Sequence, residues 1–271
     1  MVASIGGNGK GNLLGNLNQS NQEKENLFNQ ISSGKRINKA NDDAAGLAIV
    51  AALEANVAQL EQATRNNQDA VSAINVAEGA ASQVTEITSR MQELAMQSAN
   101  GTYSDEQRAV NAQEFNALRD EISRITSTTE FNGKKLLGGD DLVAQVGTDS
   151  GADSQISVQG VNLASKLSGL SSLDISSQAG AQASLQALQD VNSQIASSRG
   201  ELGAVTSRLQ AAEANAASSA INSEEAAARI RDVDVADSTA KLTAANIRSQ
   251  VGVALQAHQN LTTSNVLDLL R

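Results

Sequence analysis

The sequence predicts a mainly α protein: a long antiparallel helical rod or coiled-coil bundle, with a small β-hairpin insert and paired amphipathic terminal helices. Three observations predict it. From Ala181 to Ala220 the apolar and small residues keep a seven-residue step. Leu188, Ile195, Leu202, Leu209 and Ala216 fall on one register, and Val191, Ser198, Val205, Ala212 and Ser219 on the other. That is the a/d seam of a coiled coil, about 60 Å long at ~1.5 Å per residue. Aromatic residues make up only 1% of the 271, and Trp and Pro are missing, which suits Ala-rich helices buried along a line better than a globular core. Finally, both chain ends are amphipathic with nothing in such a rod to cover them.

Composition also excludes functions. A net charge of -10 without a basic, aromatic-laced patch argues against nucleic acid or an anionic membrane as the main partner. With no cysteine there is no disulfide, thiol chemistry or thiolate metal site. No run of about 18 consecutive apolar residues and no signal-peptide pattern occur, so no membrane insertion is expected, and an exported chain would leave without a cleaved signal.

In chain order, residues 1–12 are rich in Gly and Asn and are expected to be mobile. Leu13, Leu14, Leu17, Leu27, Phe28 and Ile31 then make a weak amphipathic helix, marginal alone. Ser33-Gly34-Lys35-Arg36 interrupts it, and Asn41-Asp42-Asp43 supplies capping oxygens for the next helix. A second seam runs through Val50, Leu53, Val57, Leu60, Thr64, Asn67, Val71 and Ile74. Its phase is expected to slip near Glu78 to Val84 and resume at Ile87, Met91 and Leu94, with a local change of supercoil. Asn100-Gly101 ends this helix, and Ser104 with Gln107 reads as a capping box. The third helix carries Phe115, Leu118, Ile122 and Ile125 and folds back on the second.

From Phe131-Asn132-Gly133 the pattern changes to turns and short β-type runs. Leu142 to Val146, Gln155 to Val158 and Leu173 to Ile175 are predicted strands, with a hairpin turn at Thr148 to Asp153. This insert is expected to cap the distal end of the rod. After the Ala181 helix, Asn222-Ser223 reads as a break. The last stretch places Ile247, Val251, Leu255, Leu261, Val266 and Leu269 on one broad side.

Little points to chemistry. Gly6 to Gly11 lacks the Ser or Thr and the preceding strand of a phosphate loop. Asp149, Ser150, Gly151 and Asp153 lack EF-hand spacing. His258, the one histidine, makes a His-based zinc site impossible and reads as a packing or surface residue. Asp42, Asp43, Asp232, Asp234 and Asp237 fall at predicted helix starts, where the helix dipole and Arg pairing account for them. No catalytic constellation and no cofactor are expected.

Two amphipathic ends that cannot bury themselves within a rod point to ordering on association. Pairing them, and stacking the pair against neighbouring copies by repeated heterologous contacts, gives an open helical filament. The expected polymerisation core is Leu13, Leu17, Leu27, Ile31, Ile247, Val251, Leu255, Val266 and Leu269. The expected rod seam is Val50, Leu53, Val57, Leu60, Leu188, Ile195, Leu202 and Leu209. The chain divides accordingly into a core segment at 1–40, a rod at 41–235 with the β-rich insert at about 131–176, and a second core segment at 236–271.

Several stretches carry a family resemblance. Ile31-Ser32-Ser33-Gly34-Lys35-Arg36-Ile37-Asn38 and Asp42-Asp43-Ala44-Ala45-Gly46-Leu47-Ala48-Ile49 are similar to the N-terminal signature of bacterial flagellin. Met91 to Ala95, Asn100-Gly101, Phe131-Asn132-Gly133, Glu201 to Val205, Arg229-Ile230-Arg231-Asp232 and Val266 to Arg271 continue the likeness. It departs at Ile5-Gly6-Gly7-Asn8 and at Thr262-Thr263-Ser264, where the family has other residues. The resemblance implies an extracellular subunit that polymerises with itself into the flagellar filament, in a short form without variable outer domains. It also implies export through the flagellar channel and partners in an export chaperone, the filament cap and hook-junction proteins. A patch read by an animal Toll-like receptor would include Arg90, Leu94 and Glu114, with Glu213 standing where strongly recognised members have an apolar residue. Two other readings stand beside it: a flagellar hook-filament junction protein, and a helical signalling rod of chemoreceptor type.

Overall fold

The computed structural model describes the backbone of residues 5–158, 160 and 162–269, and side chains from 13 to 262 apart from 159, 161 and 164. In order, the elements are α1 (Ile5–Ser33), α2 (Ala44–Ala99), α3 (Asp105–Thr128), β1 (Glu130–Phe131), β2 (Lys134–Lys135), β3 (Leu142–Gln145), β4 (Gln155–Val158), α4 (Leu163–Lys166), α5 (Gln178–Arg231) and α6 (Val235–Leu269). Single 3-10 turns precede β4 and follow α4. The helix α1 begins inside the stretch expected to be mobile, of which residues 1–4 lie outside the described residues. The chain forms two compact units, Asn56–Ile221 and the joined Met1–Ala55 and Asn222–Arg271. Below they are the central and the terminal unit.

The central unit packs α2, α3 and α5. Across α2 and α3, Arg90 meets Glu114 and Arg108 meets Ser98; across α2 and α5, Glu78 meets Arg199 and Gln68 meets Glu213, so both neighbours run antiparallel to α2. Along α5, Leu188, Ile195, Leu202, Leu209 and Ala216 are all buried, with Val191 and Ser198 beside them. Along α2 the buried row is Leu60, Ala63, Asn67, Ala70, Ile74, Ala77, Ala81, Val84, Thr88, Met91, Ala95 and Ser98. These alternate steps of three and four without interruption. The expected phase slip near Glu78 is therefore absent: Thr64, Val71 and Ile87 only flank the row, and Ala and Thr carry it through. By length and composition α2 is also apolar enough to cross a membrane, with a mean hydropathy of 1.2 over 18 residues. Only 17% of that stretch is buried, whereas from Leu60 on the buried positions of α2 form a one-sided periodic row, as in a helix that packs on helices.

The helix α3 opens as its residues dictate. Ser104 accepts from the Gln107 amide and the Gln107 side chain accepts from the Ser104 N–H, closing a capping box. Its buried side, Phe115, Ile122 and Ile125, joins the same core as Met91 and Leu188. The two hairpins, β1 with β2 and β3 with β4, are antiparallel. Asn132 (φ 50) and Gly133 (φ 78) make the β1–β2 turn, where positive φ suits Asn and Gly. The insert is not a distal cap. Asn66 of α2 donates to the Gln145 carbonyl of β3 at 3.1 Å, and Ala144, Ile156 and Val158 join the common core, so the hairpin lies along α2 beyond the point where α3 ends. Leu173 to Ile175 is not a strand either: Ile175 is buried as a plug with Leu163, Leu167 and Leu170 in a non-strand strap before α5.

In the terminal unit α1 packs antiparallel on α6: Leu17 lies against Gly252, whereas Phe28 and Asn29 share a groove with Leu242 and Lys35 bridges Asp232. Ser20 Oγ donates to the Ala245 carbonyl at 3.2 Å, Lys24 reaches Ser249, and Glu23 pairs with Arg248. No break occurs at Asn222-Ser223, where α5 runs on to Arg231: Glu224 and Glu225 are good helix formers and Arg229 ties back to Glu225. Before α2, Asp42 Oδ2 accepts from the Asn38 and Lys39 amides, and the Lys39 and Asn38 bonds hold its carboxyl below the ordinary aspartate value. Asp43 accepts from the Gly46 N–H at 2.8 Å. A Cβ on Gly46 would come within 2.5 Å of Asp43 Oδ2 and 2.8 Å of Ile37 Cδ1. Gly46→Ala is therefore expected to displace this cap and cost ~1 kcal/mol, read as a lower urea midpoint of the full chain.

Candidate assembly interface

The expected polymerisation residues do converge on the α1–α6 pair, but unequally. Leu27 is buried, Leu13, Leu17 and Ile31 are half-buried, and Ile247, Val251 and Leu255 are about half exposed. The side chains of Val266 and Leu269 lie outside the described residues. Leu13, Leu17, Ile247, Val251 and Leu255 line an open groove of ≈ 470 Å³ between the two helices. Gly252 lies at its wall, where an added Cβ would come within 3.1 Å of Leu17 Cδ1, so the small residue permits close helix approach. Phe28, Val253 and Leu261 are more than half exposed as well. Apolar side chains at 247, 251 and 255 share one side of α6, while 253 lies on another. A helix apolar on more than one side buries itself only with several neighbours.

The two links that bracket this pair are stitched together, a contact the sequence did not announce. Lys35 and Asp232 form an antiparallel bridge. Arg36 N–H donates to the Arg231 carbonyl at 2.6 Å, and Val233 N–H to the Gly34 carbonyl at 3.1 Å. The Arg36 guanidinium donates to the Ile230 carbonyl at 2.7 Å, satisfying an orphan acceptor at the end of α5. Gly34 takes φ 69, which leaves its carbonyl free for this exchange. Arg231 pairs with Glu54 and Asp232. Next to the link, Asp234 accepts from the Ala236 and Asp237 amides and so starts α6, the structural role expected of these aspartates.

The rod-seam residues are Val50 and Leu60, buried, Leu53 and Val57, half-buried, and Leu188, Ile195, Leu202 and Leu209, buried. Of the surface patch, Arg90 and Glu114 pair at 2.9 Å in the open, and Glu93 holds Arg90 as well. Both carboxylates raise the Arg90 pKa, Glu93 most. Leu94 does not belong with them: it is 2% exposed, because the α2 face turned to the core widens here to take in both Leu94 and Ala95. Glu213 accepts from Gln68 at 2.8 Å. His258 is exposed. No cluster of three or more potential metal ligands occurs among the described residues.

A model of the bacterial flagellin N-terminal helical region matches residues 10–141, and one of the bacterial flagellin C-terminal helical region matches residues 185–270. The chain belongs to the bacterial flagellin family. Flagellin of Halalkalibacterium halodurans is 40% identical over 94% of this chain and 93% of its own length. Flagellin of Bacillus subtilis is 35% identical over 96% and 97%. The crystal structure of Bacillus cereus flagellin is 27% identical, with a TM-score of 0.52 over 56% of this chain and 88% of its own. A chain assigned to flagellar hook-associated proteins in Vibrio parahaemolyticus, 15% identical with a TM-score of 0.58, shares the fold. This flagellin, of short form, is a structural subunit of the extracellular flagellar filament, which serves motility, and belongs to a structural family rather than an enzyme family. Nothing favours the hook-junction or chemoreceptor readings.

Proposed function

We propose that this flagellin polymerises through the α1–α6 pair, with the terminal unit as the filament core segment. The observation that supports this is the half-exposed row Ile247, Val251 and Leu255 beside a groove that α1 and α6 leave open. At about 25 cal/mol per Å² of apolar surface, covering such rows in every subunit stabilises a lattice that no isolated chain can reach. The Lys35–Asp232 bridge holds both terminal helices at one point, so they enter the lattice together. Hook-junction and cap proteins, which end such a lattice, would meet the same surface, and an export chaperone would cover it beforehand. Export of the unfolded chain, without removal of a leader, belongs to the same proposal, and the lack of Pro and Cys keeps slow isomers and disulfides out of it. The exposed Arg90–Glu114 pair remains the candidate contact for an animal Toll-like receptor, without Leu94.

The test compares the full chain with one trimmed to residues 40–235 after addition of filament seeds. Light scattering and electron microscopy are expected to show polymer from the full chain alone. Equal polymerisation of the trimmed chain overturns the proposal.

A further inference from the structure

We propose that Asn67 and the Glu78–Arg199 pair form a register lock that fixes where α5 lies along α2 in the central unit. Asn67 is completely buried in the seam between Ala63 and Ala70, and neither its Nδ2 nor its Oδ1 finds a hydrogen-bond partner among the described residues. Such an amide costs stability. Its value in a coiled-coil seam is specificity, since a single polar residue at a core position selects one alignment over others.

The need for a selector is written in the seam itself. Leu188, Ile195, Leu202 and Leu209 recur every seven residues along α5, and Ala63, Ala70 and Ala77 recur every seven along α2. Sliding one helix by a heptad, about 10 Å at ~1.5 Å per residue, exchanges Leu or Ile for Leu or Ile between 188 and 209 and Ala for Ala between 63 and 77. Over this stretch apolar burial distinguishes the alignments less sharply than polar groups do. In the observed register Gln68 bonds Glu213 at 2.8 Å, so the turn carrying Asn67 is level with Ala212 and Glu213, where the seam of α5 has shrunk from Leu to Ala. Arg199 meets Glu78 at 2.7 Å with both side chains about one-third exposed. A slide of one heptad brings Arg199 level with Val71 or with Thr85, and Glu78 level with Asn192 or with Thr206, so the ion pair is lost either way. A slide toward the Leu end also brings Asn67 level with Val205, a larger and drier neighbour than Ala212.

The chain has no cysteine, so labels are clean. Cysteines are placed at the exposed positions Glu61 and Ala214, spin-labelled, and the distance is measured by pulsed electron resonance in the full chain after refolding. The parent is expected to give one distance. Asn67→Leu is expected to raise Tm by about 2–4 °C, with Asn67→Ala checking that added bulk is not the cause. Combining Asn67→Leu with Glu78→Leu and Arg199→Leu is expected to leave the chain folded by circular dichroism while adding a second, shifted distance and a slow refolding phase. A single unchanged distance with unaltered refolding in the combined variant overturns the lock. So does a lower Tm in both Asn67 variants, because the amide would then be stabilising.

Discussion

Replacing Arg108 by Ala is expected to destabilise the central unit by ~2–4 kcal/mol, read from urea unfolding of the full chain by circular dichroism. Arg108 is 7% exposed. It donates Nε–H to the Ser98 carbonyl at 2.8 Å and Nη2–H to the Asn100 carbonyl at 3.1 Å, while Nη1 pairs with Asp105 at 3.1 Å. The two carbonyls belong to the end of α2, where backbone acceptors have no helical partner. A side chain from α3 thus caps α2 and closes the turn between them, and its cation suits the negative end of the helix. Truncation strands the Ser98 carbonyl beside a buried Ser98 side chain, whereas Asp105, 94% exposed, loses almost nothing. Arg108→Lys is expected to recover only part of the loss, since an ammonium cannot span both carbonyls in the planar geometry of a guanidinium. An unfolding midpoint equal to the parent's in Arg108→Ala would refute this account of the turn.

Phe115→Ala is expected to cost about 3–5 kcal/mol, the usual loss for emptying a large buried aromatic site. Phe115 is 1% exposed, and Met91 and Leu188 are fully buried in the same core. The Arg90–Glu114 contact sets Phe115 level with Met91, so one aromatic ring fills the layer where α2 meets α3. Elsewhere in α2 the core row is mostly Ala, Thr and Ser, and of the three Phe and one Tyr Phe115 alone is fully buried among the described residues. Phe115→Leu is expected to lose far less, because Leu refills most of the volume. The ion pair beside it is exposed and screened, so Arg90→Ala should leave the midpoint nearly unchanged. Comparable losses in Arg90→Ala and Phe115→Ala would mean that charge, not packing, holds this layer.

What the sequence conveyed depended on contrast between side chains. The α5 seam stood out because Leu and Ile alternate with Gln, Ser and Asn, and the α3 start because Ser104 and Gln107 form a reciprocal cap that acts within four residues. The α2 seam blurred: where Ala63, Ala77, Ala81 and Thr88 are the buried positions, larger residues at 64, 71 and 87 draw the eye one step aside, and a phase slip appears that the helix does not have. Leu94 was placed on the α2 seam by its spacing and in the surface patch only by the family resemblance, and its burial at 2% exposure goes with the seam. Leu173 to Ile175 resembles a strand by composition but pairs with no strand among the described residues, and tertiary packing claims Ile175 as a plug. In the assembly surface, the apolar rows of both ends were legible, whereas the bridge between Lys35 and Asp232 joins residues nearly two hundred positions apart and leaves no local pattern.

That bridge also changes how the chain can tolerate alteration. With Gly34 to Arg36 fastened to Ile230 through Val233, everything from Ile37 to Arg229 is, for the two ends, a closed loop whose entrance and exit coincide. The entropy of closing a loop grows only with the logarithm of its length. Residues can thus be added or removed far inside it at little cost to the ends, and the spacing between α1 and α6 stays fixed at the fastening rather than by the span between them.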